Sequence, residues 1–102
     1  MNETPPVNRM TPIHPGKILG EELGELGLSA RAFADALGVP HNRIAAILRG
    51  QRAITADTAL RLGHYFGTSA KFWLNLQQNF DLKVTERARG KQIRATVKRR
   101  AA

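Results

Sequence analysis

Cysteine is absent from this chain of 102 residues. Without it the protein can form no disulfide, use no thiol nucleophile and build no cysteine metal site. Aromatic residues make up only 6% of the chain, and no apolar run approaches the roughly 18 residues that a membrane span needs. The N-terminus, MNETPPVNRM, lacks the apolar segment of a signal peptide. These absences predict a cytoplasmic protein without a membrane partner, of a length suited to one domain.

Metal-binding and catalytic constellations are also lacking. The histidines His14, His41 and His64 lie far apart and have no metal-ligand spacing, so we expect no metal site. Glu21 and Glu22 have no partner histidine, and the nine glycines form no phosphate-binding loop. The sequence therefore predicts a protein that has no catalytic residues, is not an enzyme and needs no cofactor.

Positive charge is what the sequence has in excess. It contains 16 lysines and arginines against 8 acidic residues, a formal net charge of +8. This balance favours a polyanionic partner, above all nucleic acid. The charge is uneven, because residues 83–102 contain eight basic residues against Glu86 alone. Residues 1–82 are almost neutral, so any DNA-facing surface within them must be local.

Prolines, glycines and capping residues divide the middle of the chain into five short segments. Pro15 suits the first position of a helix, and Ser29, Thr55 and Ser69 are good N-caps. Apolar residues recur at helical spacing in each segment. The five sets are Leu19, Leu23 and Leu26; Phe33 and Leu37; Ile44, Ile47 and Leu48; Ala59, Leu62 and Phe66; and Trp73, Leu76 and Phe80. These features predict an all-α fold of five helices.

The two ends of the chain depart from this pattern. Residues 1–13 hold three of the five prolines and are predicted to form an extended arm. Within residues 83–102 the stretch IRATVK alternates like an edge strand, yet Ile93 and Val97 also suit a helix, and disorder beyond about Gly90 is a third interpretation. We therefore predict a domain at residues 14–82, followed by a basic extension that is either a dimerisation segment or a disordered tail.

Residues 29–49 have the features of a helix-turn-helix. The small residue Ala34 lets two helices cross closely, Gly38 permits a sharp turn, and Val39 fills the corner between the helices. If Ile44 and Ile47 face the core, the residues HNR at the start of the second helix face outward. The second helix of this motif offers its N-terminal residues to base edges in the major groove.

The residues HNR therefore become candidates for reading DNA. Asn42 can form two hydrogen bonds with adenine, His41 can donate or accept at a base edge, and Arg43 suits guanine or phosphate. Ala46 keeps the helix slim where it enters the groove and can touch a thymine methyl group. A DNA-binding role accounts for this polar head better than a buried helix does.

The run at residues 14–82 resembles HigA-type antitoxins of the VapI group, within the wider phage-repressor-like helix-turn-helix superfamily. Three motifs carry the resemblance: HPGKIL at the first helix, GQRAITADTALRLG across the fourth and FWLNLQ in the fifth. The resemblance implies an antitoxin that binds and neutralises a RelE-like, messenger-RNA-cleaving toxin of the HigB type. It further implies a homodimer that represses its own operon at an inverted-repeat operator in double-stranded DNA.

The resemblance also implies roles for individual residues. The DNA base-reading positions fall on His41, Asn42, Arg43 and Ala46, and the DNA backbone contacts fall on Ser29, Arg31, Arg49 and Arg52. His41 departs from the commoner family pattern of proline or a small polar residue, which leaves base preference there open. For the toxin, we expect contact with the acidic cluster Glu21, Glu22 and Glu25 of the first helix.

Other functions remain open at the level of sequence. A stand-alone phage-like or chromosomal repressor would use the same helix-turn-helix without a toxin, and an RNA-binding or nucleoid protein would use the basic extension. FWLNLQ could be an aromatic site for bases, although an aromatic stripe at helical spacing is typical of a core. In a core, Asn75 and Gln77 are expected to bond nearby backbone or a partner subunit.

Overall fold

The computed structural model describes residues 11–101, which contain five α-helices and no strand. In chain order these are α1 (Pro15–Leu26), α2 (Ala30–Leu37), α3 (His41–Leu48), α4 (Ala56–Phe66) and α5 (Ala70–Thr96). The predicted all-α fold is confirmed. Most of the arm expected at residues 1–13 lies outside the described residues. Across residues 11–101 no helix combines the length and the hydropathy needed to cross a membrane.

Side-chain caps determine where four of the five helices begin. Ser29, Thr55 and Ser69 each accept a hydrogen bond from the backbone N–H three residues further on. At α1 the cap is His14, whose Nδ1 accepts a hydrogen bond from the Gly16 N–H at 2.9 Å. These bonds satisfy N–H groups that the first turn of a helix leaves without partners.

The core lies between α1, α2, α3, α4 and the first half of α5. Side chains with no exposed surface come from the first four helices and include Leu19, Phe33, Ile44, Ile47 and Leu62. The predicted apolar faces are therefore buried or partly buried, with one exception. Leu26 is 52% exposed, because it is the last residue of α1 before Gly27, at a φ of 67°, redirects the chain.

Two glycines mark places where the backbone of one element approaches another too closely for a side chain. A Cβ at Gly16 would overlap the carbonyl oxygen of Ile47 in α3. A Cβ at Gly63 would lie 2.9 Å from the carbonyl oxygen of Thr68, in the connection to α5. Gly16 thus lets the first turn of α1 pack directly on the end of α3, which explains the glycine in HPGKIL.

α5 is longer than the sequence predicts. It has 27 residues and ends at Thr96, so the edge strand and the disorder beyond Gly90 were both wrong interpretations, and residue 82 is no break in secondary structure. The segment is rich in good helix formers and contains no proline, and Glu86 forms an ion pair with Arg94 at 2.8 Å. Among residues 83–96 only Gly90 is buried, and the Glu86 side chain covers it.

Candidate nucleic-acid interface

α2 and α3 form the helix-turn-helix that the sequence predicts. Gly38 ends α2 with a φ of 72°, a left-handed conformation that glycine adopts without strain. The Val39 N–H then donates to the Ala34 carbonyl at 3.0 Å. Ala34 has no exposed surface, as a close crossing of the helices requires. Pro40 follows the turn directly as the N-cap of α3, and it is exposed, so α3 begins at the protein surface.

The first two residues of α3 are presented to solvent. His41 and Asn42 are exposed, whereas Ile44 and Ile47 have no exposed surface and anchor the helix in the core. Within residues 11–101 the side chains of His41 and Asn42 make no hydrogen bond that would occupy their donors and acceptors. Ala46, one turn further along, is partly buried. The arrangement leaves two polar side chains available for base edges at the N-terminal end of α3.

Arg43 is placed differently from its two neighbours. Its Nη1 donates a hydrogen bond to Oδ1 of Asp57, in the first turn of α4, at 2.9 Å. The Arg43 side chain is 23% exposed, and its Nε is buried without a hydrogen-bond partner. The structure therefore does not bring Arg43 together with His41 and Asn42 as a third available side chain.

The candidate backbone contacts lie before and after α3 along the motif. Ser29 caps α2, and Arg31 is exposed in the first turn of that helix. Arg49 is exposed at the end of α3, where its Nε donates to Oε1 of Gln51 at 3.1 Å. Arg52 is exposed in the following loop, and its side chain is in no ion pair within the part of the chain that the structure describes. These positions suit contact with phosphates on either side of a groove.

Gln77 of the motif FWLNLQ holds the loop that carries Arg52. Its Oε1 accepts a hydrogen bond from the Ile54 N–H at 2.8 Å, and its Nε2 donates to Asp81 at 3.0 Å. Trp73 of the same motif is 2% exposed and belongs to the core. The interpretation of the motif as core, with a side chain bonded to nearby backbone, is therefore confirmed for Trp73 and Gln77. Phe72 is 46% exposed, and Asn75 is exposed and makes no side-chain hydrogen bond within residues 11–101. The motif positions a loop beside the helix-turn-helix.

His14 joins the same loop to α1 and α5, a role that the sequence analysis missed. The imidazole that caps α1 lies beside Gly50 and packs edge-to-face on the Phe80 ring, with 4.9 Å between ring centroids. Burial lowers the pKa of His14, although Asp81 and a hydrogen bond with the Arg52 backbone oppose that shift. The detectable signal was its position directly before Pro15, where an N-cap belongs.

The acidic cluster lies on the solvent side of α1. Glu21, Glu22 and Glu25 are all exposed. Glu21 lies 4.0 Å from Lys17 in an exposed ion pair. Within residues 11–101 no three histidine, aspartate or glutamate side chains are grouped to hold a metal ion. The cluster is thus a surface suited to a basic partner.

Known proteins share this arrangement. The helix-turn-helix family matches residues 19–73. Virulence-associated protein I of Dichelobacter nodosus is 59% identical to this chain over 80 residues, which are 78% of this chain and 74% of the relative. The family match includes α2, α3 and α4, and with them the candidate interface.

Solved structures extend the likeness to the whole fold. An addiction module antidote protein of a HigA family from Coxiella burnetii is 53% identical, with a TM-score of 0.87 over 89% of this chain and 100% of the other. Pseudomonas aeruginosa antitoxin HigA, solved with the higBA promoter, is 49% identical, with a TM-score of 0.82 over 85% of this chain and 96% of the other.

Proposed function

The chain belongs to the family of HigA-type helix-turn-helix antitoxins, and we propose that it represses its own operon and neutralises a toxin. Members of this family are DNA-binding regulators and not enzymes. The proposed DNA target is an inverted-repeat operator. The proposed protein target is a RelE-like, messenger-RNA-cleaving toxin of the HigB type. One observation carries the DNA-binding half of the proposal. His41 and Asn42, the first two residues of α3, are polar and exposed, while Ile44 and Ile47 anchor the same helix in the core.

In this proposal α3 reads bases with its first turns. Asn42 pairs with the N6 and N7 atoms of an adenine, and His41 bonds the edge of a neighbouring base. Ala46 lies one turn further along and contacts a thymine methyl group. A recognition helix inserts its N-terminal residues into the major groove, and this is the end at which His41 and Asn42 are exposed.

Phosphates are held by residues outside the head of α3. The N-terminus of α2 at Ser29 and Arg31 offers backbone N–H groups and a partial positive charge, which suit a phosphate. Arg49 and Arg52 add charge at the other end of the motif. Contacts with phosphates are the same on any DNA sequence and weaken as the salt concentration rises. They therefore contribute affinity, while α3 contributes selectivity for the operator sequence.

The second half of α5 supports a homodimer. Leu82 and Ile93 are 69% and 40% exposed, and they lie on one stripe of the helix, about 80° wide at 100° per residue, that also contains Glu86 and Gly90. A projecting helix without tertiary packing is marginally stable in water, so a second copy covering this stripe would stabilise it. Two subunits also place two α3 heads on half-sites about 34 Å apart, one turn of DNA.

The proposed toxin contact is the acidic face of α1, formed by Glu21, Glu22 and Glu25. An enzyme that cleaves messenger RNA must bind a polyanion and therefore carries a basic surface. Charge complementarity speeds and orients such an encounter. The acidic face belongs to a folded helix, so toxin binding needs no folding of the antitoxin.

Two measurements on the wild-type protein test the two halves of the proposal. Binding to a duplex from the promoter of its own operon should exceed binding to a scrambled duplex by about 1,000-fold or more at one fixed salt concentration. Equal affinity would instead favour a nucleoid or RNA-binding protein that uses its basic extension. Co-purification with the product of the adjacent reading frame tests the toxin half, and its absence would favour a stand-alone repressor.

The acidic face has a test of its own. Changing Glu21, Glu22 and Glu25 to lysine should abolish toxin capture, because like charges would then face each other. Promoter binding and the thermal unfolding transition should stay intact, since all three side chains are exposed and lie outside α2 and α3. Toxin capture that survives the triple change would remove this surface from the proposal and leave the DNA-binding half unaffected.

A further inference from the structure

A carboxylate at the start of α4 binds two arginines at once. Oδ1 of Asp57 accepts hydrogen bonds from Nη1 of Arg43 at 2.9 Å and from Nε of Arg61 at 2.8 Å. Nη1 of Arg61 also donates to the carbonyl oxygens of Leu37 and Gly38, at 2.8 and 3.5 Å. The network therefore joins the head of α3, the first turn of α4 and the turn of the helix-turn-helix.

The conformation of Arg43 in this network is unsuited to reading a base. An arginine that recognises guanine presents two N–H groups of its guanidinium to the base edge. Here one terminal nitrogen of Arg43 is bonded to Asp57, and Nε is buried without a partner. The side chain lies against the protein while the adjacent His41 and Asn42 extend into solvent.

The Asp57 side chain is a charged carboxylate at neutral pH. Hydrogen bonds from Arg61 and Arg43 lower the pKa of Asp57 below its ordinary value, so the carboxylate is charged at neutral pH. Arg61 lies four residues after Asp57 in α4 and is tied to the turn by its carbonyl contacts. Asp57 therefore stays positioned whether or not Arg43 is bound to it.

We propose that Asp57 is a specificity-determining residue, which holds Arg43 away from the DNA so that base reading falls to His41 and Asn42. The inference rests on the proposed DNA-binding function. An unrestrained arginine at the head of α3 would bind phosphate on any sequence and raise non-specific affinity. Pairing with Asp57 removes that contribution. The head of α3 then discriminates better between sequences.

The substitution Asp57→Asn tests this role because it removes the charge and keeps the shape. Affinity for scrambled duplex should rise several-fold, with a salt slope steeper by roughly 0.9 per subunit, one phosphate's share. Operator affinity should change less, so the ratio of operator to scrambled affinity falls. Adding Arg43→Gln to Asp57→Asn should abolish the rise. A matched control is Asp35→Asn, which removes an exposed carboxylate of α2 that pairs with neither arginine within residues 11–101, and it should leave the ratio unchanged.

The single substitution Arg43→Gln gives an independent readout. Operator affinity should change by less than threefold, because Arg43 does not reach the bases. A loss of roughly tenfold or more, the usual cost of a missing bidentate base contact, would overturn the proposal.

Two results for Asp57→Asn would also overturn it. Equal weakening on both duplexes, together with a lower unfolding temperature, would show a structural role alone. If Asp35→Asn raises the affinity for scrambled duplex equally, the rise comes from the loss of any negative charge and not from the release of Arg43. Wild-type selectivity for the operator is measured first, so a failure of the proposed function is distinguished from a failure of this inference.

Discussion

The protonation state of the His14 side chain affects contacts with three parts of the fold, which are α1, the loop after α3 and α5. Nδ1 accepts the Gly16 N–H, and a protonated imidazole has no lone pair for that bond. Burial lowers the pKa of His14 in the folded protein below 6.5, so in this range the unfolded chain takes up a proton at higher pH than the folded protein does. The contribution of His14 to stability is therefore complete above pH 6.5 and is lost as the pH falls through the folded-state pKa.

Thermal unfolding as a function of pH checks this assignment. The unfolding temperature of the wild type should fall in a window that begins near pH 6.5 and extends to lower pH, because burial lowers the pKa of His14 in the folded protein. The substitution His14→Asn keeps a side chain that can cap α1, and it should flatten the pH dependence in that window. His64→Asn, at an exposed position of α4, is the control and should keep the wild-type slope. Equal slopes for all three proteins would contradict the role of His14.

Exposure of a residue is easier to predict from sequence than its partner. The register of Ile44 and Ile47 places Asn42 outward, and the structure has it exposed. Arg43 was expected to be equally available, but its partner Asp57 is 14 residues away in the sequence. Local spacing in the sequence does not predict this pair, because only the packing of α4 against the helix-turn-helix brings the two side chains together.

Among the elements, α1, α2 and α4 follow most directly from local rules. Caps and left-handed glycines act within a few residues, so their positions in the sequence predict the helix ends directly. The second half of α5 has no comparable signal. Its side chains are not packed into the core, and the alternation at residues 93–98 fits a strand as well as a helix. The absence of a neighbouring strand in the described structure leaves helix as the form that satisfies its backbone hydrogen bonds.

The exposed stripe of α5 is testable by substitution of Ile93. Ile93→Asp should convert a dimer into a monomer at micromolar concentration, because it replaces an apolar side chain of the proposed contact between subunits with a charged one. Gln92→Asp introduces the same charge about 100° away on the helix and should leave the dimer intact. Sedimentation equilibrium of both variants and the wild type gives the result. A wild-type monomer, or a dimer that survives Ile93→Asp, would exclude this stripe as the interface.

In the whole molecule, the part of the chain that carries most of the net charge is not the part that contains the candidate base-reading residues. Most of the net positive charge is in residues 83–102, whereas the candidate reading residues lie in an almost neutral body. Composition therefore predicts a polyanionic partner but not a sequence-specific one. The proposal that the protein neutralises a toxin rests on similarity to known proteins, since a toxin surface leaves no local sequence pattern comparable to a cap or a turn.

The central claim is that His41 and Asn42 recognise the bases, whereas other residues, among them Arg52, bind the DNA backbone. Binding isotherms on operator and scrambled duplexes at two salt concentrations test this claim directly. Asn42→Ala should cost about 1 to 3 kcal/mol per half-site on the operator and little on scrambled DNA. Arg52→Ala should weaken both alike and reduce the salt slope by roughly one phosphate's share per subunit. Neither change should unfold the protein, because both side chains are exposed. Equal losses on the two duplexes for Asn42→Ala would mean that α3 only grips the DNA backbone, and the claim would be wrong.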